Sequence, residues 1–111
     1  MGALGVGFGA FGAHALKDRL TPNDLAIFDT GIRYFFYHAL GVCVLSLMMT
    51  RIDNGLIKTG SILMVIGAFL FAGSLIALVL TGHRWLGMVT PIGGVMLILA
   101  WVLAAVSLLR V

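Results

Sequence analysis

The stretch TGSILMVIGAFLFAGSLIALVL, residues 59–80, decides the fold class. It contains no charged side chain, and as a helix it reaches about 33 Å at 1.5 Å per residue, enough to cross a hydrocarbon core of about 30 Å. Lys58 opens it and Gly82-His83-Arg84-Trp85 closes it, with Trp85 placed where aromatic belts meet the headgroups. Working outward, the runs 2–16, 34–50 and 91–110 are also apolar. Four spans therefore account for most of the 111 residues, with short loops between them. Helices joined by loops this short pack as antiparallel neighbours. The predicted architecture is all-α: one integral membrane domain, a four-helix bundle.

Composition agrees. The chain is 61% hydrophobic and 10% charged, with a mean hydropathy of +1.15. Soluble domains run near 45–50% and about 25%, so a soluble fold is excluded. The net charge of +3 does not signal nucleic acid. Lys17, Arg19, Arg33, Arg51, Lys58, Arg84 and Arg110 stand singly at the edges of apolar runs instead of clustering on one face. The single Cys43 lies in an apolar run and reads as a buried structural thiol.

The first span, 2–16, would reach only about 22 Å in a helix, which points to a natural chain that begins upstream of Met1. Ala13-His14-Ala15 resembles a signal-peptidase site, but no positive charge precedes it and the run is rich in Gly, so it reads as a retained span. Thr21-Pro22-Asn23-Asp24 is a helix start, and its helix runs through an interfacial segment, 22–33, into the second span. Asp29 and Arg33 are four apart in the favoured order for an ion pair. Thr90-Pro91 predicts a capped start for the fourth span by the same reasoning.

Small residues recur at helical spacing. Gly2, Gly5, Gly9 and Gly12 fall within an arc of about 80° on the first helix. Gly60, Gly67 and Ser74 repeat every seven residues in the third span, and Gly93, Ala100 and Ser107 do so in the fourth. Gly73 joins this packing set. In lipid, close backbone approach must replace the hydrophobic effect, so these stripes predict tight helix pairs within one chain or between chains.

The first span ends, and the second begins, on the same membrane face where the third ends and the fourth begins. His14, His38, Tyr34, Ser74 and Thr90 are therefore expected to converge at one end of the bundle, with Gly93 and Gly94 after Pro91. Ionisable groups in a span are costly, and this cluster reads as a lipid or small-molecule pocket. The competing reading has each imidazole bonded to a neighbouring helix as a packing pin. No catalytic residue is assigned: four Asp, no Glu, three His and one Cys supply no acid–base pair, and no oxyanion hole is evident. Two well-placed His fall short of a zinc site, so no metal and no cofactor is expected.

Four motifs in order, Phe11-Gly12-Ala13-His14-Ala15-Leu16, Tyr37-His38-Ala39-Leu40, Phe71-Ala72-Gly73-Ser74-Leu75 and Thr90-Pro91-Ile92-Gly93-Gly94, closely resemble the YgdD/YwdK family. The resemblance covers nearly the whole chain. It implies a four-span protein of the bacterial inner membrane with no established biochemical activity. The expected function is that of a non-enzymatic membrane protein, a compact bundle whose His14/His38 end is a packing core with room for a lipid or small-molecule pocket. An oligomeric proton-coupled transporter or channel component, or an accessory subunit of a larger complex, is the alternative. Expected partners are membrane lipid and either a second copy or another membrane protein.

Overall fold

A computed structural model describes residues 1–110. Helix α1, Gly2–Phe11, continues into a π-helical turn, Gly12–Leu16. Helix α2 is Pro22–Met48 and α3 is Gly55–Thr81; a 3-10 segment, Arg84–Met88, then leads into α4, Thr90–Leu109. No strand occurs among the described residues. α2, α3 and the run Arg84–Leu109 are long and apolar enough to cross a membrane, whereas Gly2–Leu16 is a shorter apolar helix.

The helix ends follow local chemistry. The Thr21 hydroxyl accepts from the Asp24 amide at 3.1 Å, with Pro22 in the first turn, as the sequence predicts. Asn54 caps α3 by accepting from the Ile57 amide at 3.0 Å, so α3 starts four residues before the predicted Thr59. Gly82 stops α3 at φ 75°, a left-handed conformation that glycine adopts without steric cost. The fourth span differs from expectation at its start. α4 has no side-chain cap, because the Thr90 hydroxyl is directed to Ser74 on α3.

α3 is the shared neighbour of α2 and α4, while α1 packs chiefly against α2. The all-α bundle with antiparallel neighbours is therefore flattened, 50 × 26 × 15 Å. Small residues set each pairing. A methyl group at Gly60 would stand 3.2 Å from the Ala100 carbonyl oxygen, and one at Gly67 would stand 3.1 Å from that of Gly93. One at Gly93 would stand 2.6 Å from the Phe71 amide nitrogen. The heptad stripes of α3 and α4 are thus the two halves of one seam within the chain. Ser107 donates to Asn54 Oδ1 at 3.2 Å at one end of it, and Ser74 meets Thr90 at 2.5 Å at the other.

The stripe on α1 faces aromatic and branched side chains of α2: Gly5 against Phe36, Gly9 against Ile32, Gly12 against Phe28. Nothing lies within 4 Å of a methyl group built at Gly2 or Gly73, so neither sits at a close contact between helices of this chain. Leu45, Ile57 and Met64 are fully buried where α2 and α3 meet α4. Cys43, expected in the interior, is exposed on the outer side of α2. The reason is its helical phase, about 140° from His38, which faces inward.

Candidate functional site

His38 sits one turn beyond Tyr34 on α2 and is 6% exposed. Its Nδ1 lies 2.7 Å from the Tyr34 carbonyl oxygen, and its Nε2 lies 3.0 Å from Trp101 Nε1 on α4. An indole nitrogen only donates, so Nε2 must accept, and the proton belongs on Nδ1, where it reaches the carbonyl. The geometry therefore selects a neutral imidazole with both nitrogens occupied. No carboxylate is among its hydrogen-bond partners.

Aromatic rings surround it. Tyr34 stacks on His38 with centroids 6.4 Å apart and tilts against Phe71 of α3 at 5.2 Å; Tyr37 meets Tyr34 edge-on at 5.6 Å. Together with Gly94 and Trp101 these side chains line a groove of about 520 Å³ between α2 and α4. Tyr34, Tyr37 and Trp101 are each roughly half exposed, so the groove opens sideways, away from the bundle.

The expected convergence is only partly present. The Ser74 and Thr90 hydroxyls lie 2.5 Å apart, and each also reaches a carbonyl oxygen, Phe71 at 2.9 Å for Ser74 and Leu86 at 3.5 Å for Thr90. This pair lies one turn along α3 from the groove and links to it through Phe71. Gly93 is buried in the α3–α4 seam, and a methyl group at Gly94 would stand 3.7 Å from the Phe71 ring. His14 is elsewhere: it is exposed in the π turn at the end of α1. α1 docks on α2 through Gly12 and Phe28, and His38 lies ten residues further along α2, about 15 Å. Sharing a membrane face thus did not bring the two imidazoles together, because α1 packs on only part of α2.

No motif marks Trp101 in the sequence. The available signal was a tryptophan inside a span instead of at an interface, where its N–H must find an acceptor. A second groove, of about 390 Å³, runs between α1 and α3 over α2; Leu4, Phe8, Phe35, Phe69, Gly73 and Ile76 line it. No group of three or more His, Cys or Asp side chains that could hold a metal occurs among the described residues.

The family described as "Protein of unknown function (DUF423)" matches residues 8–94, a segment that holds His14, Tyr34, His38, Ser74, Thr90, Gly93 and Gly94. The chain belongs to the DUF423 family. It is 39% identical over 108 residues to the UPF0382 membrane protein YwdK of Bacillus subtilis, covering 96% of this chain and 88% of that one. A UPF0382 membrane protein of Staphylococcus epidermidis is 38% identical, with 96% and 87% covered. The UPF0382 inner membrane protein YgdD of Escherichia coli K12 is 34% identical over 109 residues, with 98% and 83% covered. No solved structure matches. With three helices of membrane-crossing length, this DUF423 chain is a multi-pass inner-membrane protein. Trp101, which completes the groove, lies beyond the matched segment.

Proposed function

We propose that this DUF423 chain is a non-enzymatic membrane protein that takes a neutral amphiphile from the bilayer sideways into the groove between α2 and α4. The carrying observation is the commitment of both His38 nitrogens to Tyr34 and Trp101. A ring held in this way supplies a neutral floor, not a nucleophile or a general base. The walls around it are aromatic, with tyrosine hydroxyls as polar points, which suits an uncharged ligand with one hydrogen-bonding group. The proton-coupled reading is weaker, since it calls for His14 and His38 in one relay, whereas the turn that holds His14 docks at Phe28, about 15 Å along α2 from His38.

Trp101 is a built-in reporter. In a Trp85→Phe background, a neutral dibrominated monoacylglycerol titrated into nanodiscs should quench Trp101 saturably at low mole fraction. Quenching that rises only in proportion to mole fraction would show ordinary lipid contact and end the ligand reading. Absence of quenching would mean that a second copy or a partner helix covers the groove.

A further inference from the structure

On the opposite side of α2 from the aromatic groove, α1 and the first half of α2 enclose a separate cleft of about 390 Å³. Gly9, Ala13, Phe28 and Ile32 form its apolar part, and Lys17 and Asp29 its polar part. α1 and α2 run antiparallel, so Gly9 and Ile32 mark the deep end and Lys17 the outer end. Lys17 is the first charged residue after the apolar run 2–16, and Arg33 is the last before the apolar run 34–50. The cleft thus lies at the boundary between hydrocarbon and headgroups, apolar inward and charged outward.

Its two charged side chains differ in pairing. Arg33 holds the Asp29 carboxylate in an ion pair at 2.5 Å. The two ion pairs of the described residues, Arg33–Asp29 and Lys58–Asp53, leave the Lys17 ammonium without one. Asp18, next to Lys17, lies in the exposed turn that follows and does not line the cleft. Of the two charges that line the cleft, the Asp29 carboxylate is thus occupied by Arg33 from outside the lining, and the Lys17 ammonium remains free above an apolar floor. A second feature marks the same wall: the helix widens into its π turn at Gly12–Leu16, where the cleft is lined. Such turns are rare and are found frequently at functional sites.

We infer that this cleft binds the headgroup of an acidic phospholipid, with the phosphodiester on Lys17 and the start of one acyl chain along Phe28 and Ile32. A basic recess between helices at the membrane surface is a setting in which anionic headgroups are recognised. The inference is independent of the groove beside His38.

Native mass spectrometry of the full chain, released from nanodiscs of mixed phosphatidylglycerol and phosphatidylcholine, tests it. The wild type should retain one phosphatidylglycerol in preference to phosphatidylcholine. Lys17→Gln should lower that retention about fivefold, the effect of one basic residue near the surface. Lys17→Arg should preserve it. Ala13→Phe should abolish it by filling the cleft while leaving every charge in place, and Arg110→Gln, on the far membrane face, should leave it unchanged. Circular dichroism confirms that each variant is folded; should Ala13→Phe fail to fold, the Lys17 pair decides. Retention by Lys17→Gln at the wild-type level, equal loss in Arg110→Gln, or retention by folded Ala13→Phe overturns the proposal. So does displacement of the lipid by excess inorganic phosphate, which would make this a site for the free ion.

Discussion

Trp101 Nε1 donates to His38 Nε2 at 3.0 Å, which ties α4 to α2 although both helices pack mainly on α3. The bond accounts for the imidazole's second nitrogen and holds the indole along the groove wall. It also makes His38 part of the packing and of the groove at once.

Trp101→Phe removes the donor and leaves Nε2 facing hydrocarbon. Interhelical hydrogen bonds in membranes contribute about 0.6 kcal/mol on average and up to about 1.7. The variant should therefore lose stability within that range and melt earlier in detergent, measured by circular dichroism. An unchanged melting temperature would remove the bond from the stability account.

The two histidines should behave differently on substitution. His14 is exposed and has no side-chain hydrogen bond among those of the described residues, so His14→Gln should change stability by less than about 0.5 kcal/mol. His38→Leu leaves the Trp101 indole without its acceptor and should cost about 1–3 kcal/mol. Equal losses for both variants would contradict the placement of His14.

The α3–α4 seam predicts a contrast between glycines. Gly93→Ala would drive a methyl group to 2.6 Å from the Phe71 amide nitrogen, against backbone that cannot turn aside. The helices must separate, at a cost of about 1–3 kcal/mol. Gly73→Ala meets nothing within 4 Å and should be neutral or slightly stabilising, since alanine is the better helix former. Thermal melts of the two variants, side by side, give the comparison.

Asn54 does two jobs with one oxygen: it accepts from the Ile57 amide and from the Ser107 hydroxyl. Asn54→Ala should cost about 0.5–2 kcal/mol through the lost cap alone. Asn54→Asp should recover most of that loss, because a carboxylate still accepts both bonds. Failure of Asp to rescue, in the same melting assay, would mean that the cap is not the source of the effect.

Cys43 provides a test of orientation around α2. Its thiol is exposed on a flank that also carries Leu40, 66% exposed, and Leu47, 70% exposed. In intact membranes it should react with a lipid-soluble maleimide and resist a charged, membrane-impermeant one. Labelling by the charged reagent would place this flank of α2 in water.

The elements were legible in the sequence because their causes are local. The uncharged length of 59–80 requires a helix in lipid, where backbone groups must bond within their own segment. Thr21-Pro22 marks a helix start whatever follows, and Asp29 and Arg33 meet because four residues make about one turn. The heptad stripes of Gly60, Gly67, Gly93 and Ala100 were equally visible. Their partners were not, since a small residue permits close approach without naming what approaches.

The order of residues is enough for a membrane-crossing, all-helical chain with antiparallel neighbours, and it marks which residues can pack closely or act as polar anchors. Helix packing adds that the stripes of α3 and α4 close on each other within one chain. It also sent Thr90 to Ser74 instead of to its own helix end, separated His14 from His38, and gave His38 its partner sixty-three residues away in Trp101. The physical reason is one of range. Length, hydropathy and capping act over a few residues, whereas the register between helices is chosen by which small residues let two backbones approach and which polar groups then find partners across the contact.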